Sequence, residues 1–174
     1  MTVQGDVYTG RSGETATLNT LSPPYNSIAG TTQQISGANL LGRWQREVTA
    51  TDSFTLQGYI DHTERDWPAH VNENRDTVDV DLQYRTRRFS GHDLVFGAGY
   101  RHSDARLIPS RTGIPGGTLD YGLFNPPSLK RNLYSIFVQD DITLMPKTLV
   151  LTLGTKLEHN DYTGNEHQPN ARLL

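Results

Sequence analysis

The chain has 174 residues, 16 Lys plus Arg against 19 Asp plus Glu, a formal net charge of -3, no cysteine and only 34% hydrophobic residues. This length allows one domain, and the near-neutral charge argues against a nucleic-acid partner, which would need a basic excess or a basic face. The missing cysteines exclude disulfides, thiolate catalysis and cysteine-ligated zinc, and no apolar run is long enough for a transmembrane helix.

Alternation of apolar and polar residues predicts β-strands along the chain, whereas helical periodicity is convincing nowhere. In 76–87, for example, Val78 and Val80 alternate with Asp79 and Asp81, so that one face is apolar and the other is polar. The same kind of alternation predicts eight strands in chain order, at 2–8, 38–49, 53–65, 76–87, 93–101, 132–144, 148–160 and 168–174.

The predicted connections alternate between short and long. Short ones lie at 50–52, 88–91 and 145–147, and long ones lie at about 9–37, 66–75 and 105–130, with a shorter one at 161–167. Such long loops are uncommon in compact soluble domains, but they are ordinary on the extracellular rim of an outer-membrane barrel, whose periplasmic turns are short. The predicted strands are also long enough to match the tilted span of a bilayer.

These patterns predict an all-β fold of about eight antiparallel up-and-down transmembrane β-barrel strands, with apolar side chains facing lipid and polar side chains facing a wet lumen. A wet lumen explains the low apolar fraction. Four aromatic residues near the ends of the predicted strands agree with this interpretation, because they lie on the lipid-facing side, where membrane-interface aromatics belong. Phe54 and Tyr84 fall near the rim of the short turns, and Tyr100 and Tyr134 fall near the other rim.

Three segments near the end of the chain resemble a known family. They read SIFVQDDITL at 135–144, LVLTLGTKLE at 149–158 and QPNARL at 168–173. This series resembles the barrel of TonB-dependent outer-membrane receptors, in which an F-x-Q-D strand, an L-x-L-x-x-G-x-K/R-x-E strand and a P-N-x-R-L strand opening recur. Residues 131–174 carry the pattern closely, and 2–104 resemble the family more loosely.

The resemblance implies a function and a set of partners. A receptor of this family has an N-terminal plug domain, a segment that binds TonB and about 22 strands, so residues 1–174 are expected to be an internal part of such a barrel. The parent protein would carry out TonB-dependent active uptake of a metal chelate, either a ferric siderophore or a cobalamin-like ligand, across the cell outer membrane. Its partners would be outer-membrane lipid, the chelate, the plug and TonB, with no cofactor. The start of the chain shows no signal peptide.

Residues near the long loops are the candidates for ligand contact. Arg65, Arg101 and Arg131 are predicted on the lumen side close to that rim, where guanidinium groups would attract an anionic chelate. The alternative is that they pair with a plug, or with lumen carboxylates that hold neighbouring strands together, such as Asp61, Asp79, Asp81 and Glu158. Large side chains of the long loops could close over a ligand or simply pack within the loops; they are Trp67, His70, Tyr121 and Phe124.

The sequence predicts neither an enzyme nor a metal site. Its six histidines are scattered at no metal-ligand spacing, and His62 and His102 fall on the lipid-facing side, where a position at the membrane interface accounts for them. Asp140, an acidic exception on the apolar face of its strand, is followed by Asp141. Adjacent strand residues point to opposite faces, so these two carboxylates cannot form an acid/base pair.

Two other functions remain open at the level of sequence. The chain could be a complete eight-stranded outer-membrane anchor or adhesin, or a soluble β-barrel that binds a small ligand inside. The soluble barrel predicts that Leu149, Leu151 and Leu153 point inward, whereas both membrane interpretations predict that they face lipid.

Overall fold

The computed structural model describes residues 1–19, 23–68, 71–109 and 126–174, and these form one antiparallel sheet of eight strands in chain order. The strands are β1 (Thr2–Asn19), β2 (Asn26–Glu47), β3 (Asp52–Trp67), β4 (Val71–Thr86), β5 (His92–Pro109), β6 (Ser128–Met145), β7 (Leu149–Asn160) and β8 (Gly164–Leu173). Each strand pairs with the next in sequence, and in the described ranges β1 and β8 do not pair with each other. The predicted all-β, up-and-down fold is therefore confirmed, as an open sheet.

The strands extend further than their hydrophobic pattern predicted, and the connections are correspondingly shorter. Most of the loop expected at 9–37 is the paired part of β1 and β2, whose register runs from Thr2 opposite Arg43 to Asn19 opposite Asn26. Thr, Ser, Gly and Gln predominate there, so no apolar alternation marks the strands, and main-chain hydrogen bonds pair them. The links expected at 66–75 and 105–130 are also shorter than predicted, because β4 begins at Val71 and β5 continues to Pro109.

Cross-strand register separates the two faces of the sheet, since residues paired across antiparallel strands point to the same side. Partners on one side include Phe54, Tyr84, Phe96 and Val138, from β3 to β6. We call this side the apolar face and the opposite side the polar face. Within the part of the chain that the structure describes, Ala16 is the only hydrophobic residue that is buried. The sheet thus has no apolar core, and its apolar face requires an apolar environment.

Three leucines of β7 distinguish the membrane interpretations from the soluble barrel. Leu151 pairs with Ile142 and Leu153 pairs with Asp140, which places both leucines on the apolar face. Leu149 lies on the same face, two residues before Leu151. Leu153 is 43% exposed. In the described residues the sheet is open, and these side chains pack into no enclosed interior of the kind that the soluble barrel would require.

The apolar residues form a band that crosses the strands at an angle. One line of cross-strand partners consists of Gly58, Val80, Tyr100, Tyr134 and His159. We call the end of the sheet with the links after β1, β3, β5 and β7 the long-loop end, and the other the short-turn end. On β3 the band extends past this line to Ile60, whereas on β7 it stops short of the line, at Leu157. A shift of about one residue per strand is what strands tilted by roughly 35–45° require to keep a band level.

A buried carboxylate joins two of the short turns. Asp52 is 1% exposed and accepts hydrogen bonds from Thr86 Oγ1 at 2.6 Å, Arg88 Nε at 2.7 Å and Thr49 Oγ1 at 2.9 Å. It lies beyond Phe54, outside the apolar band at the short-turn end. These hydrogen bonds, led by that of Thr86, lower the pKa of the Asp52 carboxyl to about 2, although burial opposes the shift.

Replacing Asp52 by asparagine is expected to lower the urea midpoint of unfolding in detergent at pH 7. A carboxyl with a depressed pKa stabilises the folded chain above its ordinary pKa of 3.8, and that contribution is lost as the pH falls from there toward 2. The difference between the parent chain and D52N should therefore shrink between about pH 4 and pH 2. Glu47→Gln, at an exposed strand end of the same rim, is the control, and a D52N difference that is constant with pH would contradict the assignment.

Candidate functional site

A cavity lies on the polar face at the long-loop end, and three arginines contribute to its wall. Its volume is about 470 Å³, and it is bordered by β4 to β7 and by the link after β7. Arg75, Arg101 and Arg131 line it, together with polar side chains such as Ser103 and Asn160. We call this the arginine cavity.

Strand register explains why these side chains converge. Arg101 is opposite Asp79, Arg131 is opposite Ser103, and Arg75 is opposite Ala105, so all of them belong to the polar face of neighbouring strands. Each arginine lies just past the last residue of the apolar band on its strand, which is Val78 on β4, Tyr100 on β5 and Tyr134 on β6. The cavity is therefore built on strands, which hold its side chains more rigidly than loops do.

Two of the three guanidinium groups have a carboxylate partner. Arg101 Nε donates to Asp79 Oδ2 at 2.7 Å, and Arg75 Nη2 donates to Glu73 Oε1 at 2.6 Å. The Arg131 guanidinium lies 5.2 Å from the centre of the Tyr162 ring, within the range of a cation–π contact. The pairing with lumen carboxylates that the sequence left as an alternative is present for Arg101. Each guanidinium has five N–H donors, so Arg101 and Arg75 keep donors available for a second anion.

The sequence identified two of these three arginines. Arg65 does not line the arginine cavity; it lies on β3 opposite Glu73. Arg75 takes its place and was missed, because 66–75 was interpreted as a loop when β4 begins at Val71. Extending the polar alternation of Asp79 and Thr77 by one further step would have found it.

Trp67, a further predicted ligand residue, does not line this cavity. Trp67 is the last residue of β3, on the polar face, and its Nε1 donates a hydrogen bond to Glu14 of β1. Glu14 also accepts a hydrogen bond from Thr31 Oγ1 of β2 at 3.1 Å. Glu14 thus links β1 to β2 and, through Trp67, to β3. His70, Tyr121 and Phe124 lie outside the described residues.

The four predicted interface aromatics all lie on the apolar face. Tyr100 and Tyr134 are direct partners on β5 and β6, with ring centroids 5.0 Å apart. At the other end, Tyr84 contacts Phe96 at 5.4 Å and Phe54 contacts Trp44 at 5.7 Å. Pairs of this kind are favourable contacts within an antiparallel sheet. Their role at a membrane interface stays a prediction.

The structure accounts for the acidic exception on the apolar face. Asp140 Oδ2 lies 2.6 Å from Nδ1 of His92, the first residue of β5. Asp141 points to the polar face and accepts from Thr152 Oγ1 at 2.7 Å. The two carboxylates thus diverge as strand geometry predicts.

Neither a metal centre nor a membrane helix was found in the structure as described. Across 1–19, 23–68, 71–109 and 126–174, no three His, Asp or Glu side chains come together as a metal site. No helix of suitable length and hydropathy for crossing a bilayer occurs in those ranges.

Comparisons with known proteins give one family and a set of related folds. The chain matches the family described as TonB dependent receptor-like, beta-barrel, over residues 2–173. No curated protein matches its sequence. Among solved structures it is similar to the outer membrane transporter YddB from Escherichia coli, with a TM-score of 0.59 and 14% identity over 98% of this chain and 27% of that one.

Two further solved structures share the fold at similar distance. They are the siderophore receptor PirA from Pseudomonas aeruginosa (TM-score 0.54, 14% identity, 96% of this chain and 31% of that one) and BauA, the ferric preacinetobactin receptor from Acinetobacter baumannii (TM-score 0.51, 14% identity, 98% and 34%). The chain therefore spans about a third of the length of the structures it matches.

Proposed function

We propose, from the premise that this chain belongs to the TonB-dependent receptor-like β-barrel family, that it forms part of the barrel wall of an outer-membrane receptor for energy-coupled uptake of a metal chelate. In this proposal the apolar face contacts lipid and the polar face lines the lumen. The chain itself supplies wall and ligand contacts, and transport depends on the plug and TonB interaction of the parent protein.

The arginine cavity is the observation that supports a chelate as ligand. Its guanidinium groups project from three neighbouring strands toward one space at the long-loop end. Planar guanidinium groups bind carboxylates in a bidentate manner, and a cluster of them creates a positive potential that attracts anions. A ferric siderophore with carboxylate or catecholate groups fits this chemistry better than a cobalamin-like ligand, whose contacts would depend less on charge.

The ligand proposal also assigns different contributions to ligand affinity to the three arginines. Arg131 has an aromatic rather than an acidic contact in Tyr162, so an incoming anion does not have to displace a carboxylate from it. Arg101 and Arg75 are held in place by Asp79 and Glu73, and they bind with their remaining N–H groups. Arg131 is therefore expected to contribute most to affinity.

Substituting Arg131 by alanine is expected to weaken binding of an anionic ferric chelate by about tenfold, which corresponds to the loss of one charge-assisted contact of about 1.4 kcal/mol. The R101A/R131A pair should weaken it further. The measurement is isothermal titration of the chain, refolded in detergent, with ferric citrate and with a ferric tris-catecholate, and heat-modifiable migration verifies folding.

Arg65→Ala is the matched control, since Arg65 lies on the same face and outside the arginine cavity. Its affinity should change by less than about twofold, as is usual for a charge without a direct ligand contact. Equal losses for R65A and R131A would contradict the assignment of the cavity. Tight binding of cobalamin that is insensitive to R131A would favour the cobalamin-like ligand.

A further inference from the structure

Tyr162 is an exposed aromatic residue at the border of the arginine cavity. It lies on the link after β7, it lines the cavity, and 80% of it is exposed. Single exposed apolar residues are ordinary on a protein surface, but the ring of this one lies 5.2 Å from the guanidinium of Arg131. Tyr162 is not among the ligand residues that the sequence predicts, and its position beside Arg131 follows from contacts within and around the turn.

The turn that carries Tyr162 is closed by the side chain of Asn160. Asn160 Oδ1 accepts hydrogen bonds from the main-chain N of Tyr162 at 2.9 Å and from that of Thr163 at 2.8 Å, the pattern of an Asx turn. Asn160 Nδ2 donates to Thr163 Oγ1 at 2.8 Å. Gly164 follows with a φ of 77°, a conformation that glycine adopts without steric cost. The main chain of Tyr162 is therefore held in one conformation.

The same turn is fastened to β6 next to Arg131. Asp161 Oδ2 accepts from the main-chain N of Asn132 at 2.6 Å and from its Nδ2 at 3.0 Å, and the main-chain N of Asp161 donates to the Asn132 carbonyl oxygen at 3.3 Å. Arg131 precedes Asn132, and Tyr162 follows Asp161. These hydrogen bonds therefore set the contact between the tyrosine ring and the guanidinium, and the ring stays largely exposed beside the cavity.

Two further neighbours of Arg131 on the polar face are apolar. Leu129 and Leu133 are its same-face neighbours on β6, two residues before it and two after it. Leu133 lines the arginine cavity, and Leu129 is 38% exposed and pairs with Ala105 of β5. Since the polar face points away from lipid in the proposed placement, contact with lipid does not explain these side chains.

The Arg131 guanidinium thus has apolar groups beside it. An anion that binds there has its charged group at the guanidinium and the rest of its structure next to the Tyr162 ring and Leu133. A hydrophilic anion such as citrate would bring hydroxyl and carboxylate groups against these side chains, whereas a flat hydrocarbon ring would remove them from water. The surroundings of Arg131 therefore favour an anion with an apolar body.

We propose that Tyr162 is a specificity-determining residue, and that with it the arginine cavity selects anions whose charged oxygens are attached to a planar aromatic ring. This inference rests on the proposed function and narrows its ligand class to aryl carboxylates and catecholates. The anion takes N–H donors of Arg131, and the short link between its oxygens and its ring keeps that ring next to Tyr162. Aromatic rings make offset or edge-to-face contacts that a saturated ring of the same size does not make.

The test uses two metal-free probes, benzene-1,3,5-tricarboxylate and cis,cis-cyclohexane-1,3,5-tricarboxylate. At pH 8 both are fully ionised, so they carry the same charge on a ring of the same size and differ in aromaticity and planarity. The measurement is isothermal titration of the full chain refolded in detergent. The parent chain should bind the aromatic probe about fivefold more tightly, as one aromatic pair contact provides.

Tyr162→Leu keeps an apolar side chain and removes the aromatic ring. It should bring the ratio of the two affinities to near one by weakening the aromatic probe, and it should leave the affinity for the cyclohexane probe nearly unchanged. Y162F retains the ring and should keep the parent ratio. Tyr25→Leu is the matched control, because Tyr25 is 60% exposed on another link of the long-loop end and does not line the arginine cavity. Its ratio should equal that of the parent chain, with folding verified by heat-modifiable migration.

Three results would overturn the proposal. They are a parent ratio near one, an equal loss of the ratio in Y25L, and equal weakening of both probes by Y162L, which would mean that Tyr162 only positions Arg131. If the probes bind equally well and R131A weakens both, this inference alone fails and the arginine cavity stands. If R131A changes the affinity for neither probe, the anion site of the proposed function fails with it.

Discussion

Replacing Gly97 by valine should abolish the compact, heat-modifiable form of the chain. Gly97 lies on the polar face of β5, where a Cβ would collide with the Leu82 carbonyl oxygen of β4 and would come within 2.6 Å of Cε1 of the Phe137 ring from β6. The backbone oxygen belongs to the paired strand and cannot move without breaking the ladder. We expect a cost of about 3 kcal/mol or more, as for severe overpacking.

Gly58→Val is the control for this substitution. Gly58 is also a strand glycine without a positive φ, but it lies on the apolar face, and nothing is within 4 Å of a Cβ built on it. G58V should therefore fold like the parent chain, since valine favours strands. The measurement is the fraction of chain that migrates as the compact species in unheated gels after refolding in detergent. Equal yields for G97V and G58V would show that the close approach of Phe137 to Gly97 does not contribute to folding.

The second large effect is expected from a charge placed on the apolar face. Val138 of β6 is 42% exposed on that face, and its neighbour Gln139 lies on the polar face. Arginine at 138 should destabilise the chain in lipid by about 2–4 kcal/mol, the cost of a cation on the lipid-facing side of a barrel near the bilayer centre. Arginine at 139 should cost much less, because that side faces water.

The adjacent pair makes this comparison sharp, since V138R and Q139R differ in face but hardly in position along the strand. The measurement is the urea midpoint of unfolding in lipid vesicles, with folding yield as the second readout. Equal destabilisation by the two variants would argue against lipid contact at the apolar face. A larger loss for Q139R would mean that the assignment of the two faces is reversed.

The strands that cross the apolar band were predictable from sequence, and their extensions were not. Val78 to Tyr84 alternate because one side meets an apolar surrounding and the other meets water, and this requirement is local. The outer parts of β1 and β2 have polar residues on both sides. Their pairing depends on main-chain hydrogen bonds to a neighbouring strand, which leave no pattern in the side chains.

The candidate site was predictable only in part for the same reason. Arg101 and Arg131 follow from strand parity and nearness to a long loop, so the sequence located them on the polar face. That Arg75 and not Arg65 lines the arginine cavity depends on where β4 begins and on the register between β4 and β5. Register is a property of two strands together, and it cannot be derived from either strand alone.

The sequence by itself determined the all-β class, the identity of the two faces, the divergence of Asp140 and Asp141 and the family resemblance, because side-chain alternation and short motifs are encoded locally. The tertiary structure decided which residues on one face become neighbours. It brought Arg75 into the arginine cavity, paired His102 and His159 with asparagine and His62 with carboxylates, and buried Asp52 between two turns. These contacts join separate strands, so they exist only once the register of the sheet is set.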